Sequence, residues 1–242
     1  WSNSGMPWRE LEGRLSDRPF DPAPRRMPPP VPTGTRSPVG PPSPVDQVPK
    51  DETGPPYAEL HCHSHFSFLD GASSPDELVA EAVRLGLSAL ALTDHDGFYG
   101  VVRFAEAARA HGLPTVFGSE LSLDAPSTNG SATRGSATRS VRTGTPDPTA
   151  THLVVLATDP IGYARLGTAI AESQLAGGKG RPRLSSDRLA ELAGADPHWM
   201  VLTGCRKGAV PAALEADGPA AARRALDGLV DRFGRDRVVV EL

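Results

Sequence analysis

Residues Tyr57–Gly71 read YAELHCHSHFSFLDG, a run that delivers His61, Cys62, His63 and His65 in close succession and breaks at Asp70 and Gly71. In an extended strand successive side chains alternate between faces, so His61, His63 and His65 would all point the same way. Two imidazoles at i and i+2 can share a metal ion, and a carboxylate just past the strand end can complete the set. The stretch is therefore expected to open a metal site, with later segments supplying the remaining ligands.

Downstream, the pattern alternates between short apolar runs and amphipathic ones. Ser73-Ser74-Pro75-Asp76-Glu77 is a helix start with a cap, an early proline and acidic first-turn residues, and the helix stops at Gly86. Ala89 to Thr93 predicts a strand ending in Asp94-His95-Asp96-Gly97, and Phe98 to His111 a helix closed by Gly112 and Pro114. Thr115 to Phe117 predicts a strand leading into Gly118-Ser119-Glu120. Further strands are expected at 57–62, His152 to Ala157, Trp199 to Thr203 and the terminal Val238 run, with helices from Asp159 to Gln174, at 185–193 and near 219–233. Strand and helix in alternation, with connections long enough for crossovers, predict an α/β fold with a parallel sheet and helices outside. There are too few units for an eight-fold barrel, which leaves a truncated or smaller one.

The rest of the chain is of different composition. Residues 1–18 hold a short helical preface, with Trp8, Leu11 and Leu15 at helical spacing; it is either a surface helix or a docking element. Residues 19–56 are a Pro-rich linker expected to be disordered or polyproline-like. The metal-binding domain is assigned to 57–242, interrupted at 124–151 by a low-complexity stretch whose near-repeat GSATRGSATRS favours a tolerated insertion over a functional loop. Trp1 is not an initiator Met, and Val238–Leu242 reads as a strand with no turn after it, so the chain is expected to be a fragment. A net charge of −4 gives no bulk attraction to nucleic acid. Two cysteines make no disulfide framework, and no apolar run is long enough for a membrane span or a signal peptide, so a cytoplasmic protein is expected.

Chemistry-bearing residues recur at one place in each unit: Asp94 and His95 after one strand, Glu120 after the next, Cys205 after a fourth. In a parallel α/β fold the carboxyl ends of the strands share one face, and His61, His63 and His152 can point into the same mouth. Taken singly, each has a plainer explanation: a hydrogen-bonded histidine, a capping turn at Asp94-His95-Asp96-Gly97, a small buried cysteine, a solvated glutamate. Taken together, His, Asp, Glu and Cys at five strand ends predict a metal constellation, while His65 is left as a surface or outer residue. Imidazoles with carboxylates suit zinc, manganese or iron, and a thiolate tilts one position toward zinc. The ligands exceed what one ion needs, so two or three ions are expected; such bridged ions, about 3.5–4 Å apart, split phosphate esters. Arg181, Arg183, Arg206 and Lys207 sit in loops that either reach this mouth, where a phosphate needs cations, or are ordinary solvated charge.

LHCH, SFLDG, LTDHD, GSE, the strand beginning at His152 and LTGC together resemble the polymerase-and-histidinol-phosphatase (PHP) domain. HSHFSFLDG, GYARL and LTGCRKG are similar to the version at the N-terminus of bacterial DNA polymerase III alpha subunits. The preface WSNSGMPWRELEGRL resembles the start of the error-prone, DNA-damage-associated branch. The resemblance implies a distorted (β/α)7 barrel, truncated here on its C-terminal side, with a three-ion centre and phosphoesterase or 3′–5′ exonuclease chemistry. Carried over, the metal ligands are His61, His63, Asp70, His95, Glu120, His152 and Cys205, with zinc and/or manganese as the ions. The family's last ligands, an acidic or amide residue and a His, would lie past Leu242, so the fragment alone is expected neither to polymerise nor to hydrolyse efficiently. DNA, deoxynucleoside triphosphates and the polymerase's magnesium would bind absent domains, alongside other replication or mutagenesis proteins. Two other readings compete: a stand-alone phosphatase acting on a small phosphomonoester such as histidinol phosphate, and an inactive metal-stabilised module that braces a polymerase.

Overall fold

The structure is a computed structural model, and it describes residues 56–124, 151–177, 182–196 and 198–241. The preface, nearly all of the linker and the body of the low-complexity stretch lie outside the described residues, as does Arg181.

Six strands form one sheet in sequence order: β1 (Ala58–Glu59), β2 (Ala89–Leu92), β3 (Thr115–Leu123), β4 (Thr151–Ala157), β5 (Trp199–Leu202) and β6 (Val238–Val239). The helices are α1 (Pro75–Arg84), α2 (Val101–His111), α3 (Pro160–Ala176), α4 (Ser186–Ala193), α5 (Ala209–Asp217) and α6 (Pro219–Phe233). The architecture is α/β, a half-barrel of the truncated kind expected.

Helix starts follow the local chemistry. Ser74 caps α1 in a reciprocal capping box with Glu77, Asp159 caps α3 through the Gly162 amide, and Ser185 caps α4 through the Arg188 amide. Pro75 and Pro160 occupy first-turn positions, where their missing amide hydrogens cost nothing.

The sheet departs from the all-parallel expectation. β1, β2 and β3 are parallel, as are β5 and β6, but β4 runs antiparallel to both β3 and β5. The ladder itself shows the reversal: Leu123, the last residue of β3, pairs with Thr151, the first of β4. Strands paired end to start in this way run in opposite directions, whereas strands joined by a crossover helix would run in the same one. Two strand lengths are also corrected. β1 ends at Glu59, short of the 57–62 prediction, so the histidine motif lies beyond the strand. β3 runs on to Leu123, past the predicted end at Phe117, because its polar residues find partners inside: Ser119 donates to the Asp94 carbonyl and Ser122 to the Asp96 carboxylate. The apolar-run criterion cannot see such a strand.

Alternation sorts the strand residues into two faces. Outward, Leu121, Leu123, Leu153, Val155, Trp199 and Val201 bury against α3, α4 and α6, while Leu90 and Leu92 join Val79, Ala82, Phe104 and Ala108 of α1 and α2. Inward, Ala91, Val154, Leu156 and Leu202 form a smaller apolar layer with Leu60, Val116 and Met200. Glu120 and His152 also take inward positions on β3 and β4: Glu120 pairs with Val154 at the top of the apolar layer, and His152, paired with Ser122, stands two residues beyond it. The inner face is thus oily below and polar above, and the polar level is where the site lies.

Candidate metal centre

Glu120 is the hub. Its side chain is 1% exposed, and four imidazoles face it: His63 Nε2 lies 2.8 Å from Oε2, His61 Nε2 3.3 Å and His95 Nδ1 3.4 Å, while His152 Nδ1 lies 2.9 Å from Oε1. The rings follow one another in an arc, with centroids 5.0 Å apart for His61 and His63, 4.4 Å for His63 and His95, and 5.1 Å for His95 and His152. Asp70 Oδ2 accepts from His95 Nε2 at 2.9 Å, and Cys205 Sγ stands 3.9 Å from Glu120 Oε1. All seven residues singled out from sequence are therefore gathered in one place. His65 is not among them; its ring rests against Phe66 at 4.5 Å.

Each element delivers its residue for a local reason. Glu120 and His152 come from the interiors of the β3 and β4 ladder. Because β4 is inverted, His152 enters at that strand's first turn of register, where the other strands contribute their carboxyl ends. His95 follows β2, and the acidic residues flanking it work as clamps. The Asp94 carboxylate accepts from the Ser64 amide at 2.8 Å, the Ser64 hydroxyl at 2.8 Å and the Ser67 hydroxyl at 2.7 Å, tying the loop after β1 to the end of β2. Asp96, with a left-handed φ of 48°, accepts from the Ser122 amide and hydroxyl at 2.8 Å each. Asp94 thus serves as scaffold, although its strand-end position alone suggested direct chemistry. Gly71 permits the loop to fold back: a Cβ there would stand 2.1 Å from the Ser64 carbonyl oxygen.

Electrostatics keep the hub charged. Burial would raise the Glu120 carboxyl, but the imidazoles of His152, His61 and His63 hold it far below the usual carboxylate range. Burial likewise would lower His61, yet its hydrogen bonds to Glu120 and Glu241 win and raise it from 6.5 to about 9. At His95 burial is the largest influence; with His63 and His152 beside it, it outweighs Glu120 and Asp70, and the pKa falls.

Two groups of side chains present ligand atoms within 4.8 Å of one another: His61, His63 and Glu120; and His95, Glu120 and His152. Among the described residues four buried side-chain polar atoms lack a hydrogen-bond partner, and three belong to this neighbourhood: His63 Nε2, His152 Nε2 and Glu241 Oε2. His63 Nε2 is close to Glu120, but the approach is too oblique for a hydrogen bond. A buried polar atom left unpaired costs about 1–3 kcal/mol, and a divalent cation in each ligand group would satisfy the imidazole nitrogen that group leaves unpaired. The residues fit such an ion by both donor chemistry and orphaned atoms.

Glu241, inside the predicted terminal strand Val238–Leu242, was not in the expected set. Its Oε1 accepts from His61 Nδ1 at 2.7 Å. The signal was present, since Glu241 ends the VVVE run at the same strand-end position as the other site residues. Of the basic residues, Arg183 pairs with Asp124 at 3.5 Å in a separate cleft beside Glu172 and Arg188. Arg206 and Lys207 adjoin Cys205, with the Lys207 carbonyl accepting from the His152 amide at 3.1 Å. A cleft of about 590 Å³ opens over His61, His63, Asp70 and Cys205.

A parallel-edged half-barrel with a histidine-and-carboxylate cluster at its rim defines a class, and the family comparison agrees: the PHP domain model matches residues 59–242, so the chain belongs to the PHP family. Among curated proteins the chain is similar to N-terminal stretches of error-prone DNA polymerases. The chain is 50% identical over 252 residues to the error-prone DNA polymerase of Mycobacterium tuberculosis (strain H37Rv), covering 100% of this chain and 21% of the relative. It is 50% identical over 246 residues to the error-prone DNA polymerase of Cutibacterium acnes, covering 100% of this chain and 20% of the relative. The chain thus spans about a fifth of the length of these relatives. A solved structure from Bifidobacterium adolescentis, described as a candidate metal-dependent phosphoesterase, overlays 73% of this chain and 56% of its own at 21% identity, with a TM-score of 0.36, too loose to bear on function.

Proposed function

We propose that this chain is the N-terminal PHP region of an error-prone DNA polymerase, and that its metal centre hydrolyses phosphoesters, with a DNA 3′ end as the substrate. The observation that carries the reading is Glu120: one buried, ionised carboxylate common to two ligand groups. The identity to error-prone polymerases extends over the whole chain, which favours this reading over a stand-alone phosphatase for small phosphomonoesters.

His61, His63 and Glu120 would hold one divalent ion, and His95, Glu120 and His152 a second, with zinc or manganese suited to the donors. When bound, such ions supply charge neutralisation at phosphate oxygens and an activated water. The chain's own residues prepare the place. Asp70 holds His95 by its Nε2, Cys205 offers a thiol beside the second group, and Asp94 fixes the loop that carries His63. The overlying cleft is large enough for a phosphate and its attached sugar. Template-directed DNA synthesis across damage, with DNA, deoxynucleoside triphosphates and magnesium, belongs in this reading to other parts of a cytoplasmic parent enzyme, as do contacts with replication or mutagenesis proteins. No helix among the described residues is long and apolar enough to cross a membrane.

The test uses the full-length polymerase, with metal analysis and a primer-degradation assay on wild type, His63→Ala and Asp70→Ala. Loss of manganese-dependent 3′ degradation in both variants is expected. Equal degradation by all three proteins would assign the nuclease elsewhere, and metal bound without any hydrolysis would favour the inactive brace.

A further inference from the structure

We propose that Glu241 is a positioning residue for the metal centre: it holds His61 with the proton on Nδ1, so that Nε2 is the atom presented to the cation. The proposal rests on the metal reading above and extends it to a residue outside both ligand groups.

The geometry is specific. Glu241 Oε1 lies 2.7 Å from His61 Nδ1, a shorter contact than the 3.3 Å from His61 Nε2 to Glu120. An ionised carboxylate can only accept, so the nitrogen facing Glu241 carries hydrogen, and a cation taking the place of the proton between His61 Nε2 and Glu120 would leave that hydrogen where it is. A neutral ring protonated at Nδ1 has its lone pair at Nε2, on the side where Glu120 and His63 stand. A carboxylate behind a ligating imidazole fixes both the tautomer and the ring plane and makes the imidazole a better donor.

Glu241 is itself held. Its amide donates to Thr203 Oγ1 at 2.9 Å, and the Thr203 amide donates to the Val239 carbonyl at 3.0 Å. Thr203 is buried and follows β5, which pairs with β6 through Val201–Val238 and Leu202–Val239. A chain of contacts thus runs Thr203, Glu241, His61, Glu120. It also joins the two edge strands of the open sheet, β1 and β6, since His61 follows one and Glu241 the other. A glutamate whose role was only to solvate a strand end would have no reason to turn inward and leave its second oxygen buried without a partner.

The experiment is a competition titration of the metal-stripped 242-residue chain with zinc alone, comparing wild type, Glu241→Ala, Glu241→Gln and Glu120→Gln. Nitrogen NMR of the His61 ring in the zinc-loaded wild type accompanies it. Glu241→Ala should lose about 10–100-fold in zinc affinity. Glu241→Gln, which keeps an acceptor oxygen, should lose less. The His61 ring should carry its proton on Nδ1 and its metal on Nε2. Wild-type affinity in Glu241→Ala, with affinity lost in Glu120→Gln, would overturn the proposal and leave the metal centre standing. Undiminished affinity in Glu120→Gln would remove the metal centre and the proposal together. If Glu241→Ala does not fold, the wild-type ring spectrum decides: metal on Nδ1 overturns the proposal, and metal on Nε2 with a protected Nδ1 proton supports it.

Discussion

Glu120 and His152, at the floor of the cluster, are fixed by backbone, whereas His61, His63 and Asp70, at its rim, are held by side chains. The floor residues sit inside a β3–β4 ladder that pairs without interruption from Phe117–Ala157 to Leu123–Thr151. Their orientation follows from strand register, and a register slip would turn every one of them outward. The rim residues lie past the end of a two-residue strand. Their loop is positioned by the Asp94 carboxylate, by the close approach at Gly71 and by Glu241 reaching across the open side of the sheet. Backbone pairing gives permanence to the floor; carboxylate clamps give precision to a rim that lines the open cleft.

The largest effect should come from cutting the rim's clamp. Asp94→Ala leaves the Ser64 amide and the Ser64 and Ser67 hydroxyls without their acceptor. A loss of about 3 kcal/mol is expected, or about 6–12 °C in melting temperature by calorimetry. Zinc affinity should fall with it, because His63 shares the loop. The corresponding cut at the floor should be milder. Ser122→Ala removes one hydroxyl bond to Asp96 but leaves the amide bond and the ladder, so about 1 kcal/mol is expected in a denaturant titration. A larger loss for Ser122→Ala than for Asp94→Ala would break the distinction between floor and rim.

Asp70→Asn should separate function from stability at the rim itself. Asp70 is 38% exposed and touches His95 alone among the cluster, so unfolding free energy should change by less than about 0.5 kcal/mol while metal-dependent activity falls. The smallest perturbation is chemical. Burial, with Glu59 and Asp94 nearby, pushes the Cys62 thiol up to about 11, while Cys205 is exposed. Since the thiolate is the reactive form, iodoacetamide at pH 8 should label Cys205 and spare Cys62, with Cys62 labelling only as the pH nears 11. Zinc should protect Cys205. Equal labelling of both cysteines at pH 8 would show the rim loop to be more open than described.

The contrast also explains what could be read from sequence. Helix starts were legible because their signals are local: Ser74 with Glu77, Asp159 with Pro160, and Ser185 each satisfy their own first turn. The cluster was legible because histidines, carboxylates and a cysteine recur beside the expected strands, and the family resemblance picked out the seven. The direction of β4 was not, since it depends on which strand ends pair, and a long low-complexity stretch between two strands gives no sign of that. The true length of β3 was hidden because Ser119, Glu120 and Ser122 are polar residues satisfied by partners distant in sequence, Asp94, His152 and Asp96 among them. Glu241 was missed although it follows a strand as other site residues do, because its partner, His61, is 180 residues away and strand-end position alone does not mark the glutamate as turned inward. Asp94 illustrates the converse, a residue at the right place with a supporting role.

The most direct measurement is the divalent-metal stoichiometry of the 242-residue chain against that of its Glu120→Gln variant, by zinc titration followed by elemental analysis. A carboxylate shared by two ligand groups predicts two ions bound in the wild type and the loss of both in the variant. Two ions retained by Glu120→Gln, or none bound by the wild type, would contradict the account.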